Sequence, residues 1–230
     1  MYFMHSDAVW NVHKNLCALA VAAENVLRMK EDPKRLEKLL LVIEKRLAEQ
    51  AESEMPEISA WREAFSKMGM KPTQYRCASE ALLRRYRKEK SMPNFHPLVD
   101  YLNYLSMASA IPIAAYDCER IVEGITVRAA DGSETYITFQ GENENPAPGE
   151  TIFADAEGNA HSRRWTHRQS ARSVVRPSTD RVLIVAEALH PAAQQDISSL
   201  EQELQAVLTG AGVRMIKSKR LNFMDRRFEF

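Results

Sequence analysis

The sequence predicts an α+β fold, a mixed or antiparallel sheet with flanking helices, and three observations carry that prediction. The first part of the chain reads as helices punctuated by prolines. The texture turns to short β-rich runs beyond Pro112, and a helical pattern returns near residue 196. Helices and strands segregated along a chain in this way give α+β architecture, not the alternation of a doubly wound sheet. All 230 residues are expected to form one domain, because no repeat, low-complexity tract or long linker divides them.

Composition narrows the function classes. Hydrophobic residues make up 45% and charged residues 27% of the chain, with 31 Lys and Arg against 31 Asp and Glu. A net charge of zero gives no global attraction to nucleic acid or to anionic membranes, so any such binding must rest on local patches. Cys17, Cys77 and Cys118 are odd in number and widely spaced, which fits buried thiols in a reducing cytoplasm better than a disulfide frame. No run reaches the roughly eighteen apolar residues of a membrane span. The expectation is a cytoplasmic protein without membrane association.

The elements follow in order. "LCALAVAAENV", residues 16–26, fits either a helix or a buried strand by periodicity alone. Asp32 caps and Pro33 opens a helix whose Leu36, Leu39, Leu40, Ile43 and Leu47 form one apolar stripe. A second helix starts at Pro56, carries Trp61 and Phe65 on one side and stops at Gly69. A third starts at Ser79 and ends in the basic cluster Arg84, Arg85, Arg87, Lys88 and Lys90. A fourth runs from about Leu98 to Ala108. "GITVRAA-DGSE-TYITFQG" reads as a hairpin turning at Asp131-Gly132, and "ETIFADAEGNAHSRRWTHRQ" as a strand pair turning at Glu157-Gly158-Asn159. "TDRVLIVAEAL" is a buried strand. A closing helix at about 196–210 is capped by Asp196 or Ser198 and ended by Gly210 or Gly212.

Three constellations carry candidate chemistry. Asp100 and Asn103 share a helix face, so they either satisfy each other or nearby backbone, or place Asn103 in a pocket as an orienting amide. "RRWTHRQSARSVVR", residues 163–176, holds five arginines, a Trp and a His without one carboxylate. Arg163, Arg164, Arg168, Arg172 and Arg176 can alternate on a strand as one exposed basic rim suited to phosphate and base contact. Equally, they can pair with Glu142, Glu144 and Glu150. Glu187 ends an apolar strand, and a carboxylate there is paired, raised in pKa, exposed at a cleft, or simply turned to solvent. There is no GxGxxG, P-loop, HExxH or GxSxG pattern, and the six histidines lack ligand spacing. No metal and no cofactor are expected.

Taken in order, these stretches resemble one known family: the B-three/B-four domain of the bacterial phenylalanyl-tRNA synthetase beta subunit, in its free-standing form. The resemblance is strongest over residues 61–191. "YRCASEALLRRYRKEKSMPNFHPLVDYLNYLSMASAIPIAAYD" matches the family's helix, Pro turn, "VD..N" helix and "P..A.D" approach to the strands. "PAPGETIFADAEGNAHSRRWTHRQS" matches the strand pair of the stand-alone branch, and Thr179 with its following strand matches "T..v...ea". On this resemblance residues 16–26 form a core strand.

In the family this domain edits, hydrolysing the ester of tRNA mischarged with tyrosine in a pocket between the strands and the "VD..N" helix. The resemblance implies a trans-editing deacylase with the tRNA 3′ acceptor end and an amino-acid moiety as ligands. Asn103, His167 and Glu187 are then the candidate catalytic residues. Arg164, Trp165, Gln169 and Thr179 would bind substrate, and Arg84, Arg85, Arg163, Arg168 and Arg172 would bind nucleic acid. Two departures mark this chain. The family has a His in "P.HAFD" where Ala114 stands here, and its glycine-rich loop is replaced by "RRWTHRQS". A non-catalytic module for an amino acid or aminoacylated ligand is the main alternative, and a general RNA-binding protein a third.

Overall fold

The computed structural model describes residues 1–230. Its helices are α1 (Asp7–Val12), α2 (Pro33–Glu49), α3 (Pro56–Lys67), α4 (Ala78–Glu89), α5 (Pro97–Ser109) and α6 (Ala193–Gly210). The strands begin with β1 (Tyr2–His5), β2 (Cys17–Glu24), β3 (Ile113–Asp117), β4 (Gly124–Ala129), β5 (Tyr136–Ile137) and β6 (Asn143–Glu144). They continue with β7 (Thr151–Ala154), β8 (Ala160–Arg163), β9 (Arg168–Gln169), β10 (Val182–Ala188), β11 (Arg214–Leu221) and β12 (Arg227–Glu229). The expected α+β class holds.

Two sheets organise these elements. An antiparallel four-stranded sheet has the order β11-β2-β10-β3, and a mixed six-stranded sheet the order β12-β1-β4-β7-β8-β9. The one parallel pairing between strands, β1 with β4, brings Gly124 against the backbone of Tyr2: an added Cβ would sit 2.4 Å from the Tyr2 carbonyl oxygen. Only glycine fits there.

The four-stranded sheet is covered on both faces, which explains the alanine-rich strand. Ala18, Ala20 and Ala22 of β2 join Leu183 and Val185 in a core shared with Ile125, Val127 and Phe153 of the other sheet. Leu19, Val21 and Ala23 face the opposite way, onto Leu98, Leu102 and Leu105 of α5 and Ile197, Leu200 and Leu204 of α6. Small residues on one face let the second sheet approach closely. With both faces buried, no polar alternation remains to mark the strand. Each fully buried Leu, Val or Ile contributes about 1.5–3 kcal/mol.

Local chemistry sets the helix ends. Asp32 accepts the Arg35 N–H at 3.1 Å, with Pro33 in the first turn, as the sequence predicts. The third helix starts at Ala78, one residue before the expected Ser79, whose hydroxyl instead donates to the Ala110 carbonyl at 2.9 Å. The last helix starts at Ala193, ahead of the expected cap, because Asp196 is drawn to the buried His190 at 2.7 Å.

The Asp131-Gly132 hairpin does not form. β4 pairs with β7, while β5 pairs with β6. The turn itself is real, with Gly132 at φ +98°. The Glu134 carboxylate folds back beneath it, buried, and accepts from Arg128 and from the Asp131 and Gly132 N–H groups. Although burial pushes this carboxyl up, those donors hold it below its ordinary range. The chain therefore leaves the turn away from β4, whose edge β7 occupies.

Cys17, Cys77 and Cys118 are all free and buried. Burial pushes the Cys77 thiol up to about 11, so it is no nucleophile at neutral pH. No helix is long and apolar enough to cross a membrane.

Candidate functional site

A cleft of about 340 Å³ opens where β3 and β10 meet the β8–β9 turn beneath α4 and α5. Asn103, Trp165, His167, Arg168, Gln169 and Glu187 all line it, as does Arg85. Residues drawn from four separate stretches of chain thus converge on one space. A second, apolar cavity of about 220 Å³ shares Asn103, Ala114 and Gln169 with the cleft and adds Phe95, Val99, Phe139 and Val175.

Glu187 is the electrostatic centre. The central strand β10 carries it into the interior, where it is 2% exposed. Oε1 accepts from His5 Nε2 at 2.5 Å and from Trp165 Nε1 at 2.9 Å. A buried carboxylate must be paired or neutralised, and two N–H donors on one oxygen answer that need. The solvent-facing alternative for Glu187 is therefore wrong.

Trp165 reaches Glu187 through an unusual turn. β8 and β9 pair as Ser162–Gln169 and Arg163–Arg168, and the turn between them begins with Arg164 at φ +49° and Trp165 at φ +58°. Two successive left-handed residues, neither of them glycine, cost about 1–3 kcal/mol each. The surroundings hold them there. Glu150 accepts the Arg164 N–H at 3.1 Å, and the Thr151 carbonyl accepts the Trp165 N–H at 2.7 Å. Trp165 ends fully buried, edge-on to Trp61 at 5.0 Å and to His13 at 4.9 Å.

This turn overturns the picture of an alternating, exposed basic rim. Arg163 is 7% exposed and doubly paired, with Glu150 at 2.8 Å and also with Glu144. Although burial pushes the Glu150 carboxyl up, the Arg163 guanidinium and the charge of Arg164 hold it below its usual range. Arg164 stacks over the Tyr75 ring at 4.7 Å. Arg168 and Arg176 are exposed, Arg172 is half-buried with an unpartnered Nε, and none of the three meets a carboxylate. Arg84 is tied to Glu52 at 2.9 Å, and Arg85, at the cleft wall, to Glu89 at 2.9 Å.

His167 is poised as an acceptor. Its Nδ1 lies 2.7 Å from the Arg76 carbonyl and 3.3 Å from the Arg76 N–H; the shorter contact calls for an Nδ1–H donor, which in the neutral ring leaves Nε2 as the acceptor. Burial, and then the charges of Arg164, Arg168 and Arg76, hold its pKa below the ordinary value, against the contrary pull of that carbonyl. The Gln169 amide donates to the Ala115 carbonyl at 2.7 Å. Asp100 does not bond Asn103. It accepts the Phe95 N–H at 3.0 Å, so the Asn103 amide is left to the cleft. Thr179 lies elsewhere, buried, donating to Asp117 at 2.7 Å, and so cannot serve as a substrate ligand without breaking that bond.

Sequence reasoning missed several groups. Tyr116 and Ser162 bond each other at 2.8 Å in the cleft wall, and His5 comes from a strand too short to be read. Glu57, His190 and Asp196 place possible metal ligands within 4.8 Å of one another, a grouping no spacing reveals. Both Glu57 oxygens, however, accept from Arg46, at 2.8 and 2.7 Å, and a cation there would compete with a guanidinium.

An α+β scaffold with a carboxylate-centred cleft between its sheets and a helix layer defines the class. Within it, the chain belongs to the B3/4 domain family, whose model matches residues 60–206. It is 31% identical over 122 residues to the phenylalanine–tRNA ligase beta subunit of Tropheryma whipplei (strain Twist), a match covering 53% of this chain and 12% of that subunit. Among solved structures it is similar to an N-terminal fragment of the phenylalanyl-tRNA synthetase β-subunit from Pyrococcus horikoshii. That similarity has a TM-score of 0.47 and 12% identity, over 93% of this chain and 49% of the other. The chain thus spans only a fraction of either relative.

Proposed function

We propose that the cleft binds the aminoacyl end of a mischarged tRNA and hydrolyses its ester in trans. The observation that carries this reading is Glu187: a buried carboxylate, held by two donors on one oxygen, lining a cleft in a B3/4 chain. Such a group suits the ammonium of an aminoacyl ligand, because charge-assisted pairing is strong in a partly desolvated site. The adjoining apolar cavity offers its Phe95 and Phe139 walls to the ligand's apolar part.

An aminoacyl ester is already activated, so positioning and proton transfer suffice. Asn103 orients a water. Its oxygen bonds to the ester carbonyl carbon while His167 Nε2 takes the proton. That proton then passes to the ribose oxygen as the ester C–O bond breaks, leaving free amino acid and uncharged tRNA. Donors at the cleft wall, Arg168 and the Gln169 amide among them, stabilise the developing oxyanion. His167 supplies here the imidazole that the family pattern carries at position 114. Arg168 and Arg172, neither of which meets a carboxylate, contact the acceptor-end phosphates.

Ala114 favours a second reading, a binding module for free amino acid or aminoacyl-tRNA without turnover. A deacylation screen separates the two. Purified protein and a panel of correctly and incorrectly charged tRNAs should give selective release of one misplaced amino acid. Release of none, with a melting temperature raised by free amino acid, establishes the binding module.

A further inference from the structure

The family match begins at residue 60, yet Glu187 is completed by a residue well before it. His5 sits on β1, beside β4 in the six-stranded sheet, and is wholly buried. Its ring is gripped edge-on by Phe3, centroids 5.2 Å apart, and by Trp10 at 5.0 Å. Nε2 meets Glu187 Oε1 at 2.5 Å, while Nδ1 is buried without a partner. A carboxylate oxygen accepts, so Nε2 carries the proton. A second proton on Nδ1 would be a buried donor with nothing to receive it.

Trp165 donates to the same Oε1, so both protein hydrogen bonds to Glu187 fall on one oxygen. Oε2 has no protein donor, and Glu187 faces the cleft. The carboxylate is therefore fixed in rotation and presents one unspent acceptor to whatever enters. We propose that His5 is a positioning residue for ligand recognition: with Trp165 it occupies Oε1 and so reserves Oε2 for the primary ammonium of an aminoacyl ligand. The inference rests on the aminoacyl reading of the cleft. It adds that the N-terminal strand, outside the family match, is part of the specificity apparatus.

The test is equilibrium binding of two uncharged-side-chain probes that cannot be hydrolysed as esters, L-tyrosinamide and N-acetyl-L-tyrosinamide, to the full chain. Wild type should bind the free amine at least tenfold more tightly. His5→Leu should lose about tenfold on the amine and nothing on the N-acetyl form. His5→Gln, which restores a neutral N–H donor, should recover to within about threefold. A general packing defect would weaken both probes alike and would not be rescued by Gln. Should His5→Leu fail to fold, the ¹⁵N signals of His5 in the native chain carry the test, with an Nε2–H tautomer shifted by the amine and not by its acetylated form. Equal binding of both probes by wild type, binding of neither, or a folded His5→Leu with unchanged preference overturns the inference. Amine-selective binding in a protein that deacylates no tRNA leaves it standing and removes the hydrolase reading instead.

Discussion

His167 and Glu187 divide the work of the cleft between a neutral acceptor and a fixed anion. His167 has Nδ1 committed to the Arg76 carbonyl, and burial and nearby arginines depress its pKa. Protonation would occupy Nε2 and end its role as acceptor. Hydrolysis assayed against pH should therefore rise through a pKa below about 6.5, the ordinary histidine value, and be flat from there to pH 8. His167→Gln should abolish that acidic limb along with most of the rate. A limb centred well above 6.5 would point to another base. Both residues are named by the sequence, but their setting is not. An ending strand and a lone histidine show nothing of Trp165 or the Arg76 carbonyl, which arrive from 22 and 91 residues away.

At the scale of elements, the β8–β9 turn is the piece on which the site depends. Its two left-handed residues are strained, and Glu150 holds them through the Arg164 N–H and the Arg163 guanidinium. Glu150→Ala should cost about 3 kcal/mol in denaturant unfolding, since it strands a buried arginine on Glu144 alone. A loss under about 1 kcal/mol would show that the turn stands without this clamp. Arg164→Gly should unfold no earlier than wild type, because relief at φ +49° offsets the lost stacking on Tyr75. Helices capped by local signals, α2 with Asp32 and Pro33 above all, were legible from residue types alone. The Asp131-Gly132 signal misled because a turn residue specifies a turn, not the partner of the strand that follows. Glu134 redirected the chain. β1, β11 and β12 escaped notice because their pairing partners lie far off in sequence.

For the whole molecule, zero net charge and a local set of unpaired arginines combine into a particular expectation. Arg163 and Arg84 are spent on internal pairs, whereas Arg168, Arg172 and Arg176 are not. RNA binding should thus weaken with salt by a shallow slope, to which each phosphate-contacting arginine adds about 0.7 for a single-stranded end. Arg168→Ala and Arg172→Ala should each lower the slope by that amount, while Arg84→Ala leaves it unchanged in titrations at several salt concentrations. A slope untouched by the first two would move the nucleic-acid face elsewhere. The α+β class was legible because helical and strand textures segregate along the chain. The alanine-rich core strand was not readable from periodicity: burial on both faces leaves an unbroken apolar run that a helix would also show, and only the family resemblance made it a strand. The join of the two sheets at Glu187 was not legible either, since it depends on a strand at the opposite end of the chain.

The most direct measurement is single-turnover deacylation of tyrosine-charged phenylalanine tRNA, the misacylated substrate that the family resemblance names, by wild type and Glu187→Gln. The carboxamide keeps an oxygen for His5 and Trp165 but loses the charge that receives the ammonium. Wild type should release tyrosine well above the spontaneous rate, and Glu187→Gln should fall at least tenfold while unfolding at a similar temperature. Equal rates in the two proteins, or a wild-type rate no faster than buffer, would contradict a hydrolytic site centred on Glu187.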